Sequence, residues 1–119
     1  MRDPWSESPM PRLEAPAGAR VHMTGRSGGS HSFSSDAVAF TPMPLDKLLA
    51  HYAEQMRTKG WLPNGSAAIQ KSSALQAFQM KHNEADWSAT LIVSAIGDDM
   101  RDLHVKVMNV TEMSRRRAF

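Results

Sequence analysis

From Pro44 to Trp61 the apolar residues recur at a helical period. Leu45, Leu48, Leu49, Tyr52, Ala53 and Met56 stand at i, i+3, i+4, i+7, i+8 and i+11, one stripe of an α-helix. Pro44 suits the N1 position, and Asp46 at N3 faces the positive end of the helix. Arg57 and Lys59 complement the other end. Gly60 is placed for the left-handed C′ position, with Trp61 at C″ folding back on Met56.

On both sides of this helix the period changes to two. Ala19–Thr24 alternates weakly, with Val21 and Met23 on one face, and Gly25–Ser32 reads as a Gly/Ser-rich loop. Phe33–Thr41 is a second predicted strand, with Val38 and Phe40 opposite Ala37 and Ala39. Leu62-Pro63-Asn64-Gly65 is a predicted turn. Three strands are predicted after it, at Ala74–Lys81, Trp87–Ile96 and Leu103–Val110, with a short extra strand at Ala67–Lys71. Trp87, Ala89, Leu91, Val93 and Ala95 point one way and Ser88, Thr90 and Ser94 the other. Leu103, Val105 and Val107 face inward while His104 and Lys106 face out. Gly97–Met100 makes the turn between these two strands. Ser73–His82 would also make a helix with Ser73 as N-cap. A strand is preferred there because a meander covers the single helix with the least chain. The pattern predicts an α+β fold: one long amphipathic helix packed on an antiparallel sheet of four to six strands.

With 119 residues, 41% hydrophobic and 22% charged, the chain has the size and composition of one soluble globular domain. Residues 1–17, with Pro4, Pro9, Pro11 and Pro16, read as a flexible arm. Residues 18–110 form the predicted domain. Residues 111–119 form a basic tail ending in Arg115-Arg116-Arg117, predicted to be disordered. The opening residues lack an apolar signal-peptide core, and no apolar run is long enough to span a bilayer.

The stretch Pro44-Leu45, Leu48-Leu49-Ala50-His51-Tyr52, Gln55-Met56 and Gly60-Trp61 has a strand before it and short strands containing Trp87 after it. It resembles small bacterial domains of unknown function, in which a strand leads into a helix of the form hYxxxLxxxGW and then an antiparallel meander. The resemblance covers roughly residues 10–110. Met56 stands where those domains often carry Leu, a volume-conserving change. It implies the same α+β arrangement. Its motif consists of packing and capping residues, so it implies no catalytic assignment.

Chemistry is sparse. The absence of cysteine removes disulfides, thiolate nucleophiles and Cys-ligated zinc. His22, His31, His51, His82 and His104 show no metal-ligand spacing. His51 and His104 read as surface histidines, and no nucleophile elbow is present. Asp98, Asp99 and Asp102 lack the ligand alternation and closing Glu of a calcium loop. Gly25–Ser30 lacks the ending of a phosphate-binding loop. No catalytic residue, metal site or cofactor is assigned.

Two functional readings remain in front of a third. The first is a non-catalytic binding or protein-interaction module, using the outward sheet face at Thr90, Ile92, Ile96, His104 and Met108 for a protein partner or for self-association. Ile92 and Ile96 carry most weight, since two Ile residues on a nominally polar face invite a cover. The alternative is a small-molecule-binding domain or minor enzyme with a site between helix and sheet around Tyr52, Trp61 and Trp87. Those rings, with Phe40 and Phe78, equally match the core. Nucleic-acid binding through Arg115–Arg117 and Lys106 ranks last, because the net charge of +2 is not gathered into a stripe.

Overall fold

A computed structural model describes residues 9–29 and 31–111. Among the described residues seven strands and one complete helix follow in order: β1 (Arg20–Gly28), β2 (Ser32–Phe40), α1 (Leu45–Thr58), β3 (Leu62–Pro63), β4 (Ala68–Ile69), β5 (Ser73–His82), β6 (Ala85–Ala95) and β7 (Met100–Asn109). The strands form one antiparallel sheet in the order β1-β2-β7-β6-β5-β3, with β4 also on β5. The fold is therefore α+β. After the hairpin β1–β2, α1 carries the chain across the sheet to its far side. The meander β5–β6–β7 then returns until β7 closes on β2.

The apolar stripe of α1 is buried as its spacing requires: Leu48, Leu49, Tyr52 and Met56 are enclosed. Burial of such side chains contributes about 2 kcal/mol each before entropy costs. Leu45 and Ala53 pack on the core's margin. The helix ends in a Schellman motif. Gly60 has φ of 99°, its N–H donates to Arg57 O at 3.0 Å, and the Trp61 N–H donates to Met56 O at 3.0 Å. Trp61 is thereby turned wholly into the core.

Several expectations are corrected. The helix is short, with 14 residues, or about 21 Å, because its capping residues are not helical. Pro44 is the N-cap and not N1: its ψ is 148°, and its carbonyl accepts the first helical bond, from Leu48 N at 2.9 Å. Asp46 accordingly sits at N2. The sheet has seven strands, more than expected. Leu62-Pro63, read as a turn, pairs with Phe78 and Gln79 as β3. It tolerates proline because it is an edge. The Gly/Ser-rich stretch is mostly strand: Gly25–Gly28 extends β1 against Phe33–Asp36 after an irregularity between Met23 and Gly25. Glycine weakens a strand without forbidding one when a full-length partner lies beside it.

Ser73–His82 is a strand, joined to β6 by a two-residue hairpin turn in which Asn83 and Glu84 have φ of 50° and 64°. The β6–β7 turn is Ile96–Asp99, since Met100 already belongs to β7. Phe40, grouped with the core aromatics, lies on the opposite face and is exposed, with the Arg20 guanidinium 5.4 Å from its ring centroid.

One face of the sheet carries the core. Ala37 and Ala39 of β2, Ala74 and Phe78 of β5, Trp87, Ala89, Leu91 and Val93 of β6, and Leu103, Val105 and Val107 of β7 are buried beneath the helix and its surroundings. Arg101 is also buried, and it makes no ion pair among the described residues. Its guanidinium donates to Gly97 O at 2.6 Å, Met100 O at 2.9 Å and Met43 O at 3.1 Å. It ties the β6–β7 turn to the strand–helix connection.

The Pro-rich segment expected to be a flexible arm has no regular secondary structure over residues 9–16. It nevertheless rests on the fold: Met10 and Leu13 pack against the core, and Pro16 is buried. The rest of that arm, residues 1–8, and the basic tail from 112 onward lie outside the described residues.

Candidate functional site

The five outward positions expected to form a contact surface do not all come together. Thr90, Ile92, His104 and Met108 sit on the open face of the two central strands, β6 and β7. Ile92 lies between Leu75 and His104 in register, and Thr90 between Ala77 and Lys106. All four are half-buried among their neighbours. Ile96 lies past the end of β6, at the turn, and is 51% exposed. His104 does not pair with Asp102. It donates Nδ1–H to Asp36 Oδ1 at 2.6 Å, because β2 places Asp36 directly opposite it. Helix and arm both lie on the other side of the sheet.

Of the alternative set, Trp61 and Trp87 belong to the closed core. Trp61 is fully buried, and the ring of Trp87 lies 6.3 Å from that of Phe33. Tyr52 alone reaches a cavity.

That cavity has a volume of about 410 Å³. It arises because α1 lies over β5 and β6 and leaves the helix-side face of β1, β2 and part of β7 without a helix above it. Leu91, Leu103 and Val105 form its floor with Ser35 and Ala37. Val21, Met23 and Arg26 of β1 form one wall, Met10 to Leu13 of the arm another, and Tyr52 closes the helix side. The outer wall is left bare: Met23 is 56% and Val21 41% exposed. The bulge in β1 keeps Arg26 on the cavity side, where it pairs in register with Ser35.

The arm is pinned to the helix by one side chain. Gln55 Oε1 accepts the Glu14 N–H at 2.7 Å, and Gln55 Nε2 donates to Glu14 O at 2.8 Å. This is the paired pattern that a neighbouring strand would supply. His51 Nε2 stands 3.0 Å from the same carbonyl and 2.9 Å from Gln55 Nε2. As a donor it serves Glu14, and as an acceptor it serves Gln55.

Tyr52 is 1% exposed, and its hydroxyl has no hydrogen-bond partner among the described residues. Burial pushes its pKa up to about 12, because the phenolate would be desolvated. It is therefore a neutral phenol able to donate one hydrogen bond and accept another. Buried hydroxyls without a partner are uncommon in folded proteins. Tyr52 lines the cavity, but the hydroxyl atom itself is enclosed, and Trp61 Nε1 and Trp87 Nε1 in the closed core share its lack of a partner among the described residues.

The described residues lining the cavity include no His, Asp, Glu or Lys, and so no general base with an ordinary pKa near neutrality. The His104–Asp36 pair lies through the sheet, on its other face. Among the described residues no group of three or more His, Asp or Glu is placed to hold a metal ion, and no helix is long and apolar enough to cross a membrane.

Sequence reasoning singled out Tyr52 but missed the rest of the cavity. Met10 and Leu13, three apart within the Pro-rich stretch, are the one signal that the arm has an apolar side. Arg26 was hidden in a segment read as loop. No protein-family model matches the chain, and no curated protein matches it by sequence.

Proposed function

We propose that the protein is a non-catalytic binding module that takes a small, largely apolar molecule into the cleft between α1, the arm and β1–β2. The observation that carries this reading is the cavity itself, with Tyr52 on its helix side. At about 410 Å³ it falls in the lower part of the range of small-molecule pockets. It also has their character: aliphatic walls and few polar groups.

The test is titration with the neutral fluorescent probe N-phenyl-1-naphthylamine. Wild-type protein should bind it saturably. Ala37→Met, which fills the floor, should weaken binding at least about tenfold, the effect of a modest steric conflict in a packed site. Ala77→Met on the opposite face should not weaken it. Equal behaviour of the two variants would place the probe elsewhere.

A second reading, a contact with a partner or a second copy through the open face, is favoured by the exposure of Phe40 and Ile96 and by the adjacent apolar pair Leu75 and Ile92 on that face. Light scattering on wild type and Ile92→Asp addresses it: a dimer made monomeric by the substitution supports that face as a self-association surface.

A further inference from the structure

Most of the cleft is fixed by regular structure. Leu91, Leu103 and Val105 are held in the central sheet, Val21 and Met23 lie on a strand paired with β2, and Tyr52 belongs to the packed face of α1. The remaining side, Met10 to Leu13, has no regular secondary structure. C-terminal to that side the chain is fastened unequally. Pro16 is buried, and Gly18, with φ of 81°, takes the third position of a turn closed by Ala19 N–H on Pro16 O at 3.0 Å. A type II turn requires a positive φ there. Between this turn and the cleft wall stands Glu14. Its backbone is bonded to the Gln55 amide at 2.7 and 2.8 Å, and His51 Nε2 lies 3.0 Å from its carbonyl. These contacts are exposed, so each adds little net free energy and opens more readily than a sheet ladder.

Resting on the binding reading above, we infer that the arm is a strap whose latch at Gln55 sets the girth of the molecule the cleft accepts. The turn at Pro16–Ala19 is the hinge, Glu14 on Gln55 the catch, and Met10 to Leu13 the moving wall. A slender ligand that fits beneath the closed strap leaves the catch intact. A wider one lifts the wall, and its affinity is lowered by the free energy of the bonds it breaks. Gln55 therefore determines specificity although it does not line the cavity.

The experiment uses the full chain carrying Glu14→Cys and Gln55→Cys. The protein has no cysteine of its own, so the pair is joined by the short cross-linker methanediyl bismethanethiosulfonate, confirmed by intact mass, and released with dithiothreitol. N-phenyl-1-naphthylamine is displaced by decan-1-ol, a slender chain, and by adamantan-1-ol, a neutral cage alcohol with the same number of carbons. Released, the double variant should shift the ratio of displacement constants towards adamantan-1-ol by at least about fivefold from wild type, the scale of the two exposed bonds lost. Joined, it should return to within about twofold of the wild-type ratio, since the wall is again held down. Gln55→Ala should move the ratio in the same direction as the released pair.

Equal ratios in the joined and released states overturn the strap and leave the cleft standing. So does a wild-type ratio in Gln55→Ala. Failure of the probe and both alcohols to bind wild type overturns the cleft reading and this inference together.

Discussion

Replacing Tyr52 by Phe removes one atom from a fully buried position and separates stability from function in this fold. The ring packs with Leu48, Leu49 and Met56 in the helix stripe, and Phe retains that contact. What is lost is a hydroxyl with no partner among the described residues. An unsatisfied buried polar group costs about 1–3 kcal/mol, so Tyr52→Phe should stabilise the protein by about 1 kcal/mol. In a domain of this size that is a rise of about 4–8 °C in Tm. Urea denaturation at pH 7 reads the difference directly.

The same residue sets a pH signature. Its pKa is pushed up to about 12 in the folded chain, against about 10 when unfolded. The folded state thus holds a proton that the unfolded state gives up. The stabilisation linked to that proton is complete below pH 10 and is lost as pH rises towards 12, at up to about 1.4 kcal/mol per pH unit. Wild type should therefore fall further behind Tyr52→Phe across that window. A loss of 1 kcal/mol or more on Tyr52→Phe at pH 7, taken as an order of magnitude, would mean the hydroxyl has a protein partner.

Two further perturbations test the frame around the cleft. Trp61→Ala removes a wholly buried indole at the helix stop and should cost about 3–5 kcal/mol in chemical denaturation; a cost below about 0.5 kcal/mol would detach Trp61 from the core. Gln55→Ala deletes the two bonds from Gln55 to Glu14 and leaves the contact of His51 Nε2 with the Glu14 carbonyl. It should cost about 1–2 kcal/mol and raise hydrogen exchange at the Glu14 amide, leaving the β6 and β7 amides protected.

The helix and the central strands were legible because each is a strong local pattern with a single reading. The stripe from Leu45 to Met56 has one face, Gly60-Trp61 has one role, and the alternation of Trp87 to Ala95 and Leu103 to Val107 fixes which side is inward. The errors fell where local preference and tertiary context disagree. Gly25–Gly28 has loop composition, yet β2 offers it nine residues of partner and draws it into the sheet. Pro63 disfavours a strand interior but fits a two-residue edge. Residues 9–16 have the composition of a free arm. Their position depends on Gln55, some forty residues away, a contact no periodicity encodes. Arg101 reads as a surface residue of an alternating strand, and its burial follows from carbonyls gathered by two separate turns.

The cleft, by contrast, follows from a count that the sequence already contains. Five long strands spaced about 4.8 Å apart make a sheet nearly 20 Å across between its outer axes. A single helix with its side chains is about 10–12 Å wide. One helix therefore covers roughly half of such a sheet, and here it covers the β5–β6 half. The remaining half still turns Val21, Met23, Ala37, Leu103 and Val105 to the same side, because strand alternation is fixed by the pleat and continues where no helix lies above. Apolar floor without a helix above it must be closed by another segment or a ligand, or else stay open to water. In this chain the arm closes part of it, Gln55 holds the arm in place, and the space between them is the size of a small molecule. The narrowness of one helix over a sheet this wide and the existence of the site are one fact.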